Sequence, residues 1–269
     1  MINLEELAKK MQREGYSEVN AEARVCQDII LKAIDKSSLN RNVTIKGGVV
    51  MRSITHNNRR ATRDIDLDFI QYSLGDDAVR NFIEKLNCIP DITLRIDGEM
   101  EELKHQDYHG KRIEVAISDT YGTVVKSKID IGVHKYLEIE QEKYCFDVCM
   151  DDEGAYLLKN TAEQSFVEKL RSLLIFGVNS RRYKDIYDMF YLTEMVHDIK
   201  LQKVIEVLII KDSGMRENSM DDICRRISAV FKDRQYLSRV SSSRQRWLDG
   251  DIHDITDRIL NYLERLKKN

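Results

Sequence analysis

The sequence predicts an α/β domain with a mixed sheet over residues 1–150, followed by an all-helical domain over residues 151–269. Three observations lead there. Apolar and polar residues alternate in several short runs between residues 43 and 149, the period of half-buried strands. Apolar residues three and four apart bracket those runs, the period of an amphipathic helix. Beyond about Asp151 helical spacing takes over and the chain contains no proline. A length of 269 residues also exceeds what one hydrophobic core usually holds and suits two.

The elements follow in order. Leu4 to Arg13 and Ser17 to Lys36 read as helices, the second with Ser17 as its N-cap and Val19, Ala23, Cys26, Ile29, Ile30 and Ala33 on its apolar face. "NVTIKGG" reads as a strand entering a glycine turn, "VVMRSITH" as a helix and "RDIDLDFI" as a strictly alternating strand. A helix from Asp76 to Asn87 leads to the lone proline, Pro90. "ITLRIDGEM", "KRIEVAISDTYG" and "TVVKSKIDIGV" alternate as strands, the last two joined by a hairpin turn at Asp119–Gly122, and "EKYCFDVCM" adds one more. "AEQSFVEKLRSLLIF", "KDIYDMFYLTEMV", "LQKVIEVLII", "ICRRISAVF" and "DITDRILNYLERL" are helical, with no internal repeat among them.

Composition narrows the function. With 42% hydrophobic and 33% charged residues the chain reads as an ordinary globular protein. No apolar run approaches the length that spans a bilayer and the start lacks a signal-peptide core, so a cytoplasmic location without membrane attachment is expected. Five scattered cysteines suit reduced thiols, and Cys145 and Cys149 are read as packed thiols before zinc ligands. A net charge of −3 means that any nucleic-acid site must be local. Neither a nucleophile elbow nor a P-loop is present, since Gly47-Gly48 lacks the following Lys-Ser/Thr.

The chemistry concentrates in "IKGGVVMRSITHNNRRATRDIDLDFI". Alternation puts Asp64, Asp66 and Asp68 on one strand face, with Ile65, Leu67 and Phe69 on the other. Three neighbouring carboxylates repel unless cations sit between them, and two Mg²⁺ ions sharing oxygen ligands would convert that repulsion to attraction. Such a pair of ions serves phosphoryl or nucleotidyl transfer. Gly47 and Gly48, between a strand and a helix, offer bare backbone N–H groups to phosphate oxygens. Arg52, Arg59, Arg60 and Arg63 are candidates for charge compensation. The competing reading makes the aspartates a solvated edge-strand face that deters edge pairing.

Lys46-Gly47-Gly48, a one-helix spacer and Asp64-Ile65-Asp66 resemble the signature of the DNA polymerase β-type nucleotidyltransferase superfamily. That resemblance implies a third metal carboxylate from a neighbouring strand, which "KSKIDIGV" offers as Asp130. "FVEKLRSLLIFGVNSRRYKDIYDMFYL" is similar to the AbiEii/AbiGii toxin branch, where a helical lysine precedes R-x-K-D-x-x-D. The matching positions are Lys169, Arg182, Lys184, Asp185 and Asp188. The resemblance implies Mg²⁺ held by Asp64, Asp66 and Asp130, and an NTP held by Lys46, Gly47, Gly48, Arg52, Arg63, Lys169, Arg182 and Asp188. It further implies transfer of NMP to an RNA acceptor, the tRNA 3′ end foremost, and a separately encoded antitoxin. Asp185 has three candidate roles: holding Lys169, contacting the nucleotide or orienting the attacking hydroxyl. Surface ion pairs, Arg181 with Asp185 and Lys184 with Asp188, are the structural alternative.

Two further signals remain. Arg225, Arg226, Lys232, Arg234, Arg239, Arg244 and Arg246 form a basic stretch in which Tyr236 and Trp247 are candidates to stack on unpaired bases. His105 and His109 have helical metal-pair spacing but sit in a loop-like segment. A small-molecule or protein acceptor, or a non-catalytic binding module of the same fold, are the alternative functions.

Overall fold

The computed structural model describes residues 1–103 and 110–267 and divides into two compact units, Met1–Asn160 and Thr161–Asn269. His105 and His109 lie outside the described residues.

The first unit opens with helices α1 (Leu4–Arg13) and α2 (Glu18–Lys36). Asn3 caps α1, its side chain accepting from the Glu6 N–H, whereas Ser17 stands at the N-cap of α2 without a side-chain cap bond. Strand β1 (Val43–Lys46) passes directly into helix α3 (Gly47–Thr55), and β2 (Ile65–Phe69) and α4 (Asp76–Lys85) follow. The remaining strands are β3 (Ile92–Ile96), β4 (Glu101–Glu102), β5 (Lys111–Asp119), β6 (Val124–Val133), β7 (Gln141–Val148) and β8 (Asp151–Asn160). They form one mixed eight-stranded sheet in the order β3-β5-β6-β2-β1-β8-β7, with β4 beside β5.

Alternation explains the layers. Ile65, Leu67, Phe69, Ile113, Val115, Ile117, Ile129 and Ile131 join one core with Ile29, Ile30 and Ile34 of α2, which packs against β6, β7 and β8. Val19, expected on the apolar face of α2, is exposed; the buried stripe of that helix begins at Ala21. The β5–β6 hairpin forms where its turn residues predict. Asp119 Oδ1 accepts from the N–H groups of Tyr121 and Thr123 at 3.0 and 2.9 Å, its Oδ2 accepts from the Leu4 N–H at 3.0 Å, and Gly122 takes a φ of +88°.

One expectation is corrected. The units part at Asn160/Thr161 and not near Asp151, because Asp151–Asn160 is strand β8, lying between β1 and β7. Ala155 and Leu157 of β8 enter the core while Tyr156 between them stays exposed, so the segment does alternate, but over too few apolar residues to stand out.

The second unit is all-helical: α5 (Ala162–Phe176), a 3-10 turn (Gly177–Asn179), α6 (Tyr183–Leu192) and α7 (Asp198–Ile205), which runs on into a π-helical turn (Glu206–Ile210). α8 (Met220–Phe231), α9 (Arg234–Ser241) and α10 (Ile252–Leu266) complete it. α5 packs against α6, α7 and α8 through a buried stripe that includes Phe166, Leu170 and Leu173. Thr161, Ser219, Asp233 and Asp251 cap α5, α8, α9 and α10 with their side chains. All five cysteines are free, and among the described residues no helix is long and apolar enough to cross a membrane.

Candidate active site

Cross-strand register assembles the acidic site of the first unit. Asp66 of β2 lies directly opposite Asp130 of β6, Asp130 opposite Arg112 of β5, and Arg112 opposite Glu101 of β4. On the other side Asp66 faces Lys46 of β1. Residues paired in register share a face, so one row of charge crosses five strands: Glu101, Arg112, Asp130, Asp66, Lys46. Two anions stand side by side only at Asp130 and Asp66. At the roughly 5 Å spacing of paired strands, and an effective dielectric of about 20, their repulsion is about 3 kcal/mol. That cost calls for a counter-charge between or beside them.

Arg112 supplies one. Its Nε and Nη2 donate to the two carboxylate oxygens of Asp130, each at 2.7 Å. The bond to Asp130 and the nearby charges of Asp64 and Glu101 push the Arg112 guanidinium above its ordinary range despite partial burial. Arg112 was not among the residues singled out from sequence. Counting outward from the β5–β6 turn places it opposite Asp130, provided the closing pair is taken as Asp119 and Thr123, which that turn joins by the Asp119 N–H to Thr123 C=O bond.

The three alternating aspartates have different surroundings. Asp68 is buried and ion-paired to Lys46, its Oδ1 2.6 Å from Lys46 Nζ, so both are tied into the sheet. Asp66 is half-buried and Asp64, just before β2, is exposed. Gly47 explains how Asp66 fits: a Cβ there would stand 2.2 Å from Asp66 Oδ2, and Gly47 has a φ of +64°. At Gly48 a Cβ would stand 2.4 Å from Thr62 Oγ1, and Thr62 is anchored in turn by its C=O accepting from Gln27 Nε2 at 2.9 Å. The glycine pair thus brings the first turn of α3 against the D-x-D strand, with the N–H groups of that turn outside the helical ladder.

Among the expected phosphate-binding arginines, Arg63 is exposed on the loop before β2, whereas Arg52 is not available. Arg52 is buried with Nη2 3.3 Å from Asp28 Oδ1, and Asp28 also accepts from Arg24 Nε at 2.7 Å and the Cys149 N–H at 2.9 Å. It is a core ion-pair partner, held where its own desolvation is offset by Asp28.

In the second unit Lys169 of α5 meets both aspartates of α6, Nζ lying 3.0 Å from Asp185 Oδ1 and 2.8 Å from Asp188 Oδ2. Arg182 Nε donates to Asp185 Oδ2 at 2.6 Å, and Trp247 Nε1 donates to Asp188 Oδ1 at 2.9 Å. Burial pushes the Asp185 carboxyl up, but the Lys169 ammonium and the Arg182 guanidinium outweigh it and hold the group below the ordinary carboxylate range. Asp188 is wholly buried, its two oxygens facing Lys169 and Trp247. Asp185 is paired with Lys169 and Arg182, and Asp188 with Lys169. Trp247 and Tyr236 are buried in the same unit, which removes them as base-stacking platforms. Arg225, Arg226, Lys232, Arg234, Arg239 and Arg244 are exposed, and Arg246 is half-buried.

The sequence model of the family described as "Nucleotidyl transferase AbiEii toxin, Type IV TA system" matches residues 29–253. The chain belongs to this family. No curated protein matches it. Among solved structures it is similar to an antigenic nucleotidyltransferase-like protein from Paracoccidioides brasiliensis at 13% identity and a TM-score of 0.47, over 80% of this chain and 92% of that one. As an AbiEii-family chain it is a nucleotidyltransferase of the toxin type, and the carboxylate row and glycine pair fall within the matched span.

The oxygen donors of that row suit a hard divalent cation, and the close fit of Gly47 to Asp66 leaves room there for nothing bulkier than glycine. Among the described residues, however, no group of three or more His, Cys, Asp or Glu side chains is already gathered around a common point. Both Asp130 oxygens accept from Arg112.

Proposed function

We propose that this AbiEii-family protein transfers a nucleoside monophosphate from an NTP to an RNA acceptor in the cytoplasm, with the tRNA 3′ end as the acceptor. The observation that carries the reading is the register pair Asp66 and Asp130, two carboxylates on one sheet face beside a glycine pair at a helix N-terminus.

Asp64, Asp66 and Asp130 would hold Mg²⁺, which when bound supplies charge neutralisation for the triphosphate and acidifies the attacking hydroxyl. The chain's own contribution is placement. The stiffness of β2 and β6 holds Asp66 and Asp130 a fixed distance apart, and Gly47 lets Asp66 approach the helix start without a clash. The first-turn N–H groups of α3 would donate to phosphate oxygens, since no helical carbonyl precedes them. Arg63, exposed on the loop before β2, would add positive charge to the site. The exposed basic residues of α8 and α9 supply the kind of surface on which an RNA backbone is held by charge. A toxin of this type comes with an antitoxin, which is taken to be separately encoded.

The test incubates the protein with Mg²⁺, each α-labelled NTP in turn and total tRNA, beside Asp66→Ala. Label on RNA from one NTP, lost in the variant, is expected. Mg²⁺-dependent NTP binding with no label on RNA from any NTP would sink the RNA assignment and point to a protein or small-molecule acceptor.

A further inference from the structure

We propose that the turn joining α5 to α6 carries a binding surface for unpaired RNA, with Phe176 as the platform on which a base stacks and Arg181, Arg226 and Arg239 as the cations that hold its phosphates. The inference rests on the RNA-acceptor reading and gives that acceptor a place on the second unit.

From residue 169 to residue 184 the chain has no acidic residue, while Lys169, Arg171, Arg181, Arg182 and Lys184 are all basic. Within this stretch α5 ends on two large apolar side chains in solvent, Ile175 38% and Phe176 46% exposed. Gly177 fixes that ending. Its φ of +52° and ψ of −135° suit glycine and strain any other residue, so the chain turns away directly after Phe176.

Two cations distant in sequence are brought to the same turn. Arg239 of α9 donates through Nη2 to the Val178 C=O at 2.6 Å. Arg226 of α8 lies so close that a Cβ on Gly177 would stand 3.4 Å from its Nη2. Both are exposed, as is Arg181 just beyond the turn. Among the described residues none of the three pairs with a carboxylate, whereas their sequence neighbours Arg182 and Arg225 do, with Asp185 and Asp222.

Guanidinium groups that repel one another around a partly exposed ring attract a polyanion. Each presents paired N–H donors that suit phosphate oxygens. The apolar part, one ring and one neighbouring side chain, is far smaller than the roughly 800 Å² per partner of a stable protein interface, but one ring is all that a base needs to stack. It supplies the aromatic face that the buried Trp247 and Tyr236 cannot. A duplex keeps its base faces inside the stack, so the platform selects unpaired nucleotides.

The test measures, by fluorescence anisotropy on the full chain, binding of a labelled single-stranded RNA and of a blunt RNA duplex. Phe176→Ala and Phe176→Leu are expected to weaken the single strand about tenfold and to leave the duplex unchanged, while Phe176→Trp binds as wild type does. Arg226→Gln should weaken both RNAs and lower the salt dependence of binding by about one phosphate contact. Thermal melts check that each variant is folded. A Phe176→Leu variant as tight as wild type, or equal losses on the two RNAs, overturns the inference and leaves the RNA-acceptor reading intact. Self-association in sedimentation velocity that Phe176→Ala abolishes, with RNA affinity unchanged, makes the patch a contact between copies and overturns it too. Wild type that binds neither RNA and transfers label to none overturns both.

Discussion

At the scale of single residues, alternate aspartates on one strand serve unlike ends. Asp68 is a fold residue. Asp68→Ala breaks a buried ion pair with Lys46 and should cost about 3 kcal/mol in urea unfolding. Asp66→Ala should cost less stability than Asp68→Ala, because Asp66 is only half-buried, while abolishing label transfer. The opposite pattern, a stable Asp68 variant and an unstable Asp66 variant, would reverse the assignment. Gly47→Ala should both destabilise, by about 1–3 kcal/mol for a side chain at positive φ, and lose transfer, because its Cβ displaces Asp66. In the second unit Trp247→Phe removes the N–H given to Asp188 and part of a buried ring system; a loss of at least about 2 kcal/mol in thermal unfolding is expected. The family motif extends the loss of transfer to Lys169→Ala.

At the scale of elements, the β5–β6 hairpin sets the register that puts Arg112 on Asp130, and Asp119 secures both its turn and the first N–H of α1. Burial pushes the Asp119 carboxyl up, but its backbone N–H donors outweigh this and hold it below the ordinary range. A carboxyl lowered on folding stabilises above its unfolded value and loses that contribution as pH falls through the folded value. Asp119→Asn should therefore cost stability at pH 7, with the gap to wild type closing below about pH 4, as chemical denaturation across that range would show. A gap that stayed constant with pH would refute it. The D-x-D strand, the glycine turn and the hairpin were legible because each is a local pattern of spacing and turn chemistry. Arg112 was not, because its role depends on a register one residue away from the simplest reading of the turn. Arg52 misled for the converse reason: its nearness in sequence to Gly48 says nothing of Asp28, which comes from α2. Trp247 and Tyr236 misled because a basic surrounding sequence does not reveal which helix face is buried.

At the scale of the whole molecule, the chain is two units with separate cores, and the division at Asn160/Thr161 has a direct consequence. A fragment ending at residue 160 keeps β8 between β1 and β7 and should unfold cooperatively, whereas one ending at 150 strips β7 of its partner and should not. Circular dichroism melts of the two fragments decide this. The pattern of alternating then helical segments made the two-part organisation visible in sequence, but the last strand escaped because its inward residues are few and Gly154 interrupts them. The central claim, that this AbiEii-family chain moves a nucleotidyl group onto RNA, is tested most directly by supplying the same NTP labelled at the α- or the γ-phosphate. α-Label on RNA and γ-label released in pyrophosphate, both dependent on Asp66, are expected. Label from the γ-phosphate on RNA would mean phosphoryl transfer and would contradict it.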